Sequence, residues 1–229
     1  MVLGLLLTGV ALAAKPPFDV SAPYLLEMRM VTSSDEPFTG RREMVTTSLF
    51  AVRFERRGGE WQQVQTACAV SVSGGPVSFP DAFVASMTPT RAPVEWAGGR
   101  YRHDPGAVYV GVVPGTTTLP ETPDDPGVVD HEGDGYPGAT VHLQVPVFGR
   151  VRLALLQVSH TILAGPIVDG VVEGPLGVER MEQRSLGASV AVFDVSRNMT
   201  VVPDRSTFRL APDTDHRCTP DRASAEGSQ

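Results

Sequence analysis

The stretch ATVHLQVPVFGRVRLALLQVSHTILA (139–164) decides the fold class. Its first part alternates apolar and polar residues with the period of two that is typical of a β-strand, and Gly149-Arg150 then supplies a turn. The run Val151–Ala164 is apolar at odd and even positions alike. This pattern indicates a strand buried on both faces, or one that lines a cavity and packs outward against a lid. The stretch therefore predicts a β-hairpin.

Similar segments recur along the chain, which 20 prolines and 23 glycines cut into short pieces. A second hairpin is predicted from Ser48–Arg56 and Trp61–Val72, joined at Gly58-Gly59, and a short helix is predicted for Pro80–Met87. The dipeptides Gly165-Pro166 and Gly174-Pro175 are interpreted as breaks between strands. In the hairpin joined at Gly58-Gly59, the second strand alternates through Val64, Thr66, Cys68, Val70 and Val72.

These patterns predict an all-β fold rather than an α/β fold. The expected architecture is an antiparallel barrel (lipocalin-like) or a sandwich, with about ten to twelve short strands and at most one or two short helices. A barrel or a sandwich with an apolar interior could hold a lipid-like ligand.

The chain is predicted to have three parts. Residues 1–14 are interpreted as a signal peptide, because Val2–Ala13 carries no charge and Ala11-Leu12-Ala13 has the small-x-small pattern of a cleavage site. The alternative is a buried N-terminal strand or helix. Residues 15–217 form a single β domain with a Pro-rich connection at 114–137, and residues 218–229 form a polar tail. No later apolar run reaches the ~20 residues of a transmembrane helix, so we expect export to the periplasm or the extracellular space.

The acidic residues lie mainly in the second half of a chain whose net charge is −7. Residues 121–134 hold six of them and neither Lys nor Arg. Such a surface repels phosphate backbones, so nucleic acid is not expected as a partner. The single lysine against 18 arginines points to a high-GC bacterial genome.

An acidic loop, DHEGDGYPG (130–138), is a candidate calcium site. Asp130, Glu132 and Asp134 match the first, third and fifth positions of a calcium loop, and Tyr136 would offer its backbone carbonyl at the seventh. The twelfth position is Val141 instead of a bidentate glutamate, which excludes a true EF-hand. The alternative is an Asp/Gly turn without metal.

The two cysteines, Cys68 and Cys218, are predicted to form a disulfide, because an exported chain with an even number of cysteines usually pairs them. The bond would tie the Pro/Asp-rich C-terminal segment to the domain. The alternative is two separate thiols, with Cys68 buried and Cys218 exposed.

The segment 130–141 resembles a loop of uncharacterised exported β-rich proteins from myxobacterial-type genomes. Their loop reads Asp-x-Asp-Gly-Asp-Gly-x-Pro-Gly-x-Thr, and this chain has Glu132 where the pattern has Asp. The resemblance implies export and a β architecture, and it carries no established activity.

No common catalytic motif appears in the sequence, so no catalytic residue is assigned and the protein is not expected to be an enzyme. The leading expectation is a structural or partner-binding protein of the cell envelope. One alternative is a carrier of a lipid-like ligand. A second alternative is a β-sandwich that acts on glycans as an enzyme or binds them as a module. A sugar-binding module would need a strip of exposed aromatic residues. In the carrier, seven residues would line the cavity, although they could equally fill a solid core: Met28, Met30, Phe50, Phe54, Leu153, Leu155 and Ile162.

Overall fold

The structure is a computed structural model that describes residues 16–36, 40–193 and 199–218. The predicted signal peptide at 1–14 and the predicted tail beyond Cys218 lie outside the described residues. Within the described ranges, no helix is long and apolar enough to cross a membrane.

The described chain forms twelve strands and one α-helix, with short 3-10 turns at Ala191–Phe193 and Pro203–Arg205. In chain order the elements are β1 (Tyr24–Glu36), β2 (Gly40–Arg57), β3 (Glu60–Ser73), β4 (Val77–Ser78), α1 (Asp81–Ser86), β5 (Thr90–Ala97), β6 (Arg100–His103), β7 (Ala107–Val110), β8 (Ala139–Val145), β9 (Gly149–Val168), β10 (Val171–Ala188), β11 (Thr200–Val201) and β12 (Thr207–Pro212).

Eight of these strands close into a ring. The order is β10-β12-β1-β2-β3-β5-β6-β9, and the β9–β10 hairpin joins the last strand to the first. The remaining strands extend the wall: β7 and β8 pair with β9, β4 pairs with β8, and β11 pairs with β1. All pairings between these strands are antiparallel, which confirms the predicted all-β antiparallel fold.

The prediction that the strands are short is wrong for the main walls. β9 has 20 residues and β2 and β10 have 18 each. The predicted breaks at Gly165 and Gly174 lie inside β9 and β10, where a Cβ on Gly165 would collide with the backbone of Glu173, and one on Gly174 with the backbone of Ala164. Glycine is needed there because two backbones approach closely, not because the chain turns.

One end of the ring is filled with apolar side chains. Phe18, in the segment before β1, packs against the buried residues at this end. Its ring centroid lies 5.3 Å from that of Tyr24 and 5.3 Å from that of Phe54. The hairpin turns at 57–60, 97–100 and 168–171 lie at the same end. The buried residues that fill it are Tyr24, Leu26, Val52, Phe54, Val94, Trp96, Tyr101, Leu163, Val172, Leu176, Phe208 and Leu210.

A β-bulge changes which residues of β3 face the interior. Phe50 pairs with Ala67 and Leu49 with Ala69, so Cys68 has no partner in the ladder. The extra residue shifts the alternation by one. The inward positions therefore change from Gln65 and Ala67 to Val70 and Val72, and the single alternation predicted through Cys68 is wrong. A second bulge, at Glu179 of β10, has the same effect.

The strand β9 has two apolar faces because each one has a different neighbour. Its odd-numbered residues Leu153 and Leu155 face the interior. Its even-numbered residues Leu156 and Val158 pack outside against Val112, Leu119 and Val128, which belong to the segment between β7 and β8. The Pro-rich connection is thus a cover over β9, which is the second arrangement that the sequence predicted.

The predicted disulfide joins Cys68 to Cys218, which are 150 positions apart in the chain and have Cα atoms 5.7 Å apart. The buried carboxylate of Asp213 accepts hydrogen bonds from the backbone N–H groups of Arg217 and Cys218. These contacts fix the C-terminal segment against the outside of β3.

Reduction of the disulfide is expected to lower the melting temperature by about 5 to 15 °C. A disulfide typically contributes about 2–4 kcal/mol, and each kcal/mol shifts the Tm of a domain of this size by about 2–4 °C. Differential scanning calorimetry with and without reductant measures the shift. A C68A/C218A variant should melt at the reduced value and ignore the reductant; an unchanged Tm after complete reduction, verified by thiol titration, would contradict the assignment of a stabilising bond.

Candidate functional site

The other end of the ring encloses a cavity of about 500 Å³. The inner faces of β1, β2 and β3 form one wall, β8, β9 and β10 form the opposite wall, and residues 79–90 with β7 complete the lining. Inward positions that carry large side chains at the filled end carry small ones here, among them Thr46, Ser48, Ala67 and Ser159. The cavity exists because these side chains are too short to meet across the ring.

Among the described residues, the lining contains no Asp, Glu, Lys or Arg. The described ionisable side chains that line it are Tyr109 and His131. Burial lowers the pKa of His131, with the charge of Asp130 acting in the opposite direction. His131 is therefore mostly neutral at neutral pH.

Methionine is concentrated in this cavity. The structure describes six methionines, and all six line the cavity. Methionine is unbranched, flexible and polarizable, so it adapts its shape to whatever it contacts. The six lining methionines are Met28, Met30, Met44, Met87, Met181 and Met199.

Neutral polar groups interrupt the apolar surface. Gln65 reaches the cavity and accepts a hydrogen bond from Gln63 Nε2 at 3.3 Å, and Gln63 Oε1 accepts one from the Tyr101 hydroxyl at 2.6 Å. Burial raises the pKa of Tyr101 well above its ordinary value, so this hydroxyl stays a donor. Two lining atoms, Thr90 Oγ1 and His131 Nε2, are buried without a hydrogen-bond partner among the described residues.

Five of the seven residues predicted to line a cavity do so: Met28, Met30, Phe50, Leu153 and Leu155. Phe54 belongs to the filled end, where it packs edge-on against Trp96. Ile162 is an even-numbered residue of β9, and the inner face of that strand carries the odd-numbered ones. The sequence prediction missed Met44, Met87, Met181 and Met199, whose shared residue type was the available signal.

The acidic turn brings Asp130, Glu132 and Asp134 together, with one carboxylate oxygen of each within 4.8 Å of the others. All three carboxylates already accept hydrogen bonds from the turn. Asp130 accepts from three backbone N–H groups at 133–135, Glu132 from the N–H of Thr140, and Asp134 from the Thr140 hydroxyl. This network agrees with the metal-free alternative, and calcium binding stays a prediction of the sequence.

Tyr136 makes two contacts that the sequence did not predict, and the role of its backbone carbonyl as a calcium ligand stays a prediction. Its backbone N–H donates to Asp134 Oδ1, and its ring lies under the guanidinium of Arg152, 3.3 Å from the ring centroid. The neighbouring His131 contacts Phe83 of α1, with ring centroids 5.7 Å apart. The turn therefore supports the cavity wall through His131.

A scan against protein-family models found no match, and neither the curated proteins nor the solved structures gave a significant match to the chain. The functional argument rests on the geometry of the cavity and of the acidic turn.

Glu132→Gln is expected to stabilise the protein at neutral pH when no calcium is present. Burial raises the pKa of Glu132 above its ordinary value of 4.5. The protonated carboxyl thus favours the folded state below pH 4.5, and this contribution is lost as the pH rises through the raised pKa. A glutamine is neutral at every pH, so it keeps this stabilising contribution at neutral pH as well.

Thermal melts from acid to neutral pH, in chelator, measure the effect. Asp124→Asn, which removes one exposed carboxylate from the same segment, is the matched control and should leave the pH profile unchanged. Calcium added to the wild type separates the two interpretations of the turn. A large calcium-dependent rise in Tm that Glu132→Gln abolishes would establish a metal site and contradict the metal-free turn.

Proposed function

We propose that this protein binds a small, uncharged and largely apolar molecule in the cavity and does not act as an enzyme. The observation that carries the proposal is a cavity of about 500 Å³ whose lining, among the described residues, holds six methionines and no charged side chain. Binding sites for small molecules typically have volumes of about 300–1,000 Å³ and mostly apolar walls with a few polar groups.

The volume is too large to be a packing defect. Folded proteins have few internal voids larger than a water molecule, whereas this cavity has a volume of about 500 Å³. A volume of this size is typical of a binding site for a small molecule.

The lining also defines the ligand class. At about 30 Å³ for a water-sized group, the cavity accommodates about 17 non-hydrogen atoms. A charged ligand group would be buried without a counter-ion, which is strongly unfavourable. Gln65, Thr90 and His131 offer hydrogen bonds to a hydroxyl or a carbonyl. The ligand is therefore an apolar molecule with one or two neutral polar groups.

The two other expectations receive less support. A purely structural protein has no need of a cavity with this lining. A sugar-binding module needs exposed aromatic rings, but Trp61 and Trp96 pack on each other at the filled end, with centroids 5.9 Å apart. Tyr24 and Tyr101 are buried there as well. We keep an envelope partner as the second candidate.

Export is the cellular part of the proposal. Disulfides persist in oxidising compartments, and this protein has one between Cys68 and Cys218. Together with the predicted signal peptide at 1–14, the disulfide supports a location in the periplasm or outside the cell.

Two Ser→Phe variants test the cavity. Ser48 of β2 lines it, whereas Ser71 of β3 is exposed on the outer face of the neighbouring strand. The probe is N-phenyl-1-naphthylamine, an uncharged fluorophore that brightens in apolar surroundings. We expect Ser48→Phe to weaken its binding at least tenfold by filling the cavity, and Ser71→Phe to leave the affinity at the wild-type value.

A charged relative of the probe, anilinonaphthalene sulfonate, should bind at least tenfold more weakly to the wild type, because the lining provides no cation. Equal binding of the fluorophore to both Ser→Phe variants, or failure of the wild type to bind it at all, would refute the proposed function. Unchanged circular dichroism of the two variants is the control for folding.

A further inference from the structure

We propose that the cavity end of the ring docks on a lipid bilayer surface that carries anionic headgroups. The contact is made by the tip of the β8–β9 hairpin, residues 144–150, which is called the docking tip below. This proposal concerns the outer surface and does not depend on what the cavity binds.

The docking tip exposes apolar side chains. Val147 is 87% exposed and Phe148 54%. Val147 and Phe148 follow one another in the hairpin turn, at the extreme end of β8. Exposed large apolar side chains grouped at one place mark an interaction site more often than isolated ones do.

The docking tip lies at the cavity end of the molecule. Leu143 of β8 lines the cavity and pairs with Val151 of β9, two residues before Val145 and Gly149 close the hairpin. A surface that receives the tip would therefore face the end of the ring that holds the cavity.

The charge around the tip favours an anionic surface. Residues 135–168 contain Arg150 and Arg152 but no Asp, Glu or Lys. Arg150 is exposed directly beside the apolar pair, and Arg42 is exposed on the β1–β2 hairpin at the same end. Glu43, the next residue, is held in an ion pair with Arg205 at 2.7 Å.

The net charge of −7 does not oppose this local contact. Charges more than about 8–10 Å from the contact are largely screened at physiological ionic strength, and the dense acidic segment 121–134 belongs to the connection that covers β9. Arginines near an anionic membrane surface attract phosphate, and exposed apolar side chains insert at the headgroup boundary. Apolar tips with adjacent arginines fit this chemistry.

Co-sedimentation with vesicles tests the proposal. The vesicles contain equal parts of phosphatidylcholine and phosphatidylglycerol, with pure phosphatidylcholine as the comparison. The wild type is expected to partition onto the mixed vesicles, V147S/F148S to partition at least tenfold less, and R150Q about fivefold less on the mixed vesicles, because one arginine near the surface contributes about that factor. V168S is the matched control, because Val168 is 61% exposed at the opposite end of the ring.

The outcomes are distinct. Retained vesicle binding by V147S/F148S, equal loss in V168S, or absence of wild-type binding would each overturn the proposal. Concentration-dependent dimerisation of the wild type that V147S/F148S abolishes, seen by sedimentation velocity without vesicles, would instead assign the docking tip to a second copy of the chain. V147S/F148S should bind N-phenyl-1-naphthylamine as tightly as the wild type does. A negative result with vesicles would therefore not decide whether the cavity binds a ligand.

Discussion

The closed ladder of backbone hydrogen bonds, completed by the β9–β10 hairpin, is the constraint on which the rest of the structure depends. Once eight strands close, the width of the ring is fixed, and side chains must fill the interior or leave room for a small ligand. This molecule does both. At one end Phe54, Trp96 and Tyr101 meet across the ring, and at the other Ser48 and Ala67 are too short to do so.

Much of the fold follows from local patterns in the sequence. The two-sided apolar run 151–164 predicted a strand with two buried faces, and β9 has the cavity on one face and Leu119 on the other. The predicted helix at 80–87 is found as Asp81–Ser86. The predicted disulfide between Cys68 and Cys218 is present. The strand and the helix follow from the local sequence, whereas the disulfide, which joins residues 150 positions apart, follows from the even number of cysteines in a chain expected to be exported.

Other features depend on distant residues, and the sequence pattern misses them. Gly165 looks like a turn residue, but its lack of a side chain lets β9 and β10 approach closely. The bulge at Cys68 changes the inward face of β3 without any change in the alternation of apolar residues. Phe50 and Phe54 lie on the same face of β2. Phe50 lines the cavity and Phe54 packs in the core, because the other strands place different side chains opposite each of them.

The methionines provide the most direct measurement of the central claim, which is that the cavity binds an uncharged apolar molecule. Protein labelled with ¹³C at the methionine methyl groups is titrated with N-phenyl-1-naphthylamine and followed by NMR. The account predicts that resonances of the six methionines lining the cavity shift together and saturate at one fluorophore per chain. Fluorophore binding that leaves these resonances unmoved would place the ligand elsewhere and contradict the account.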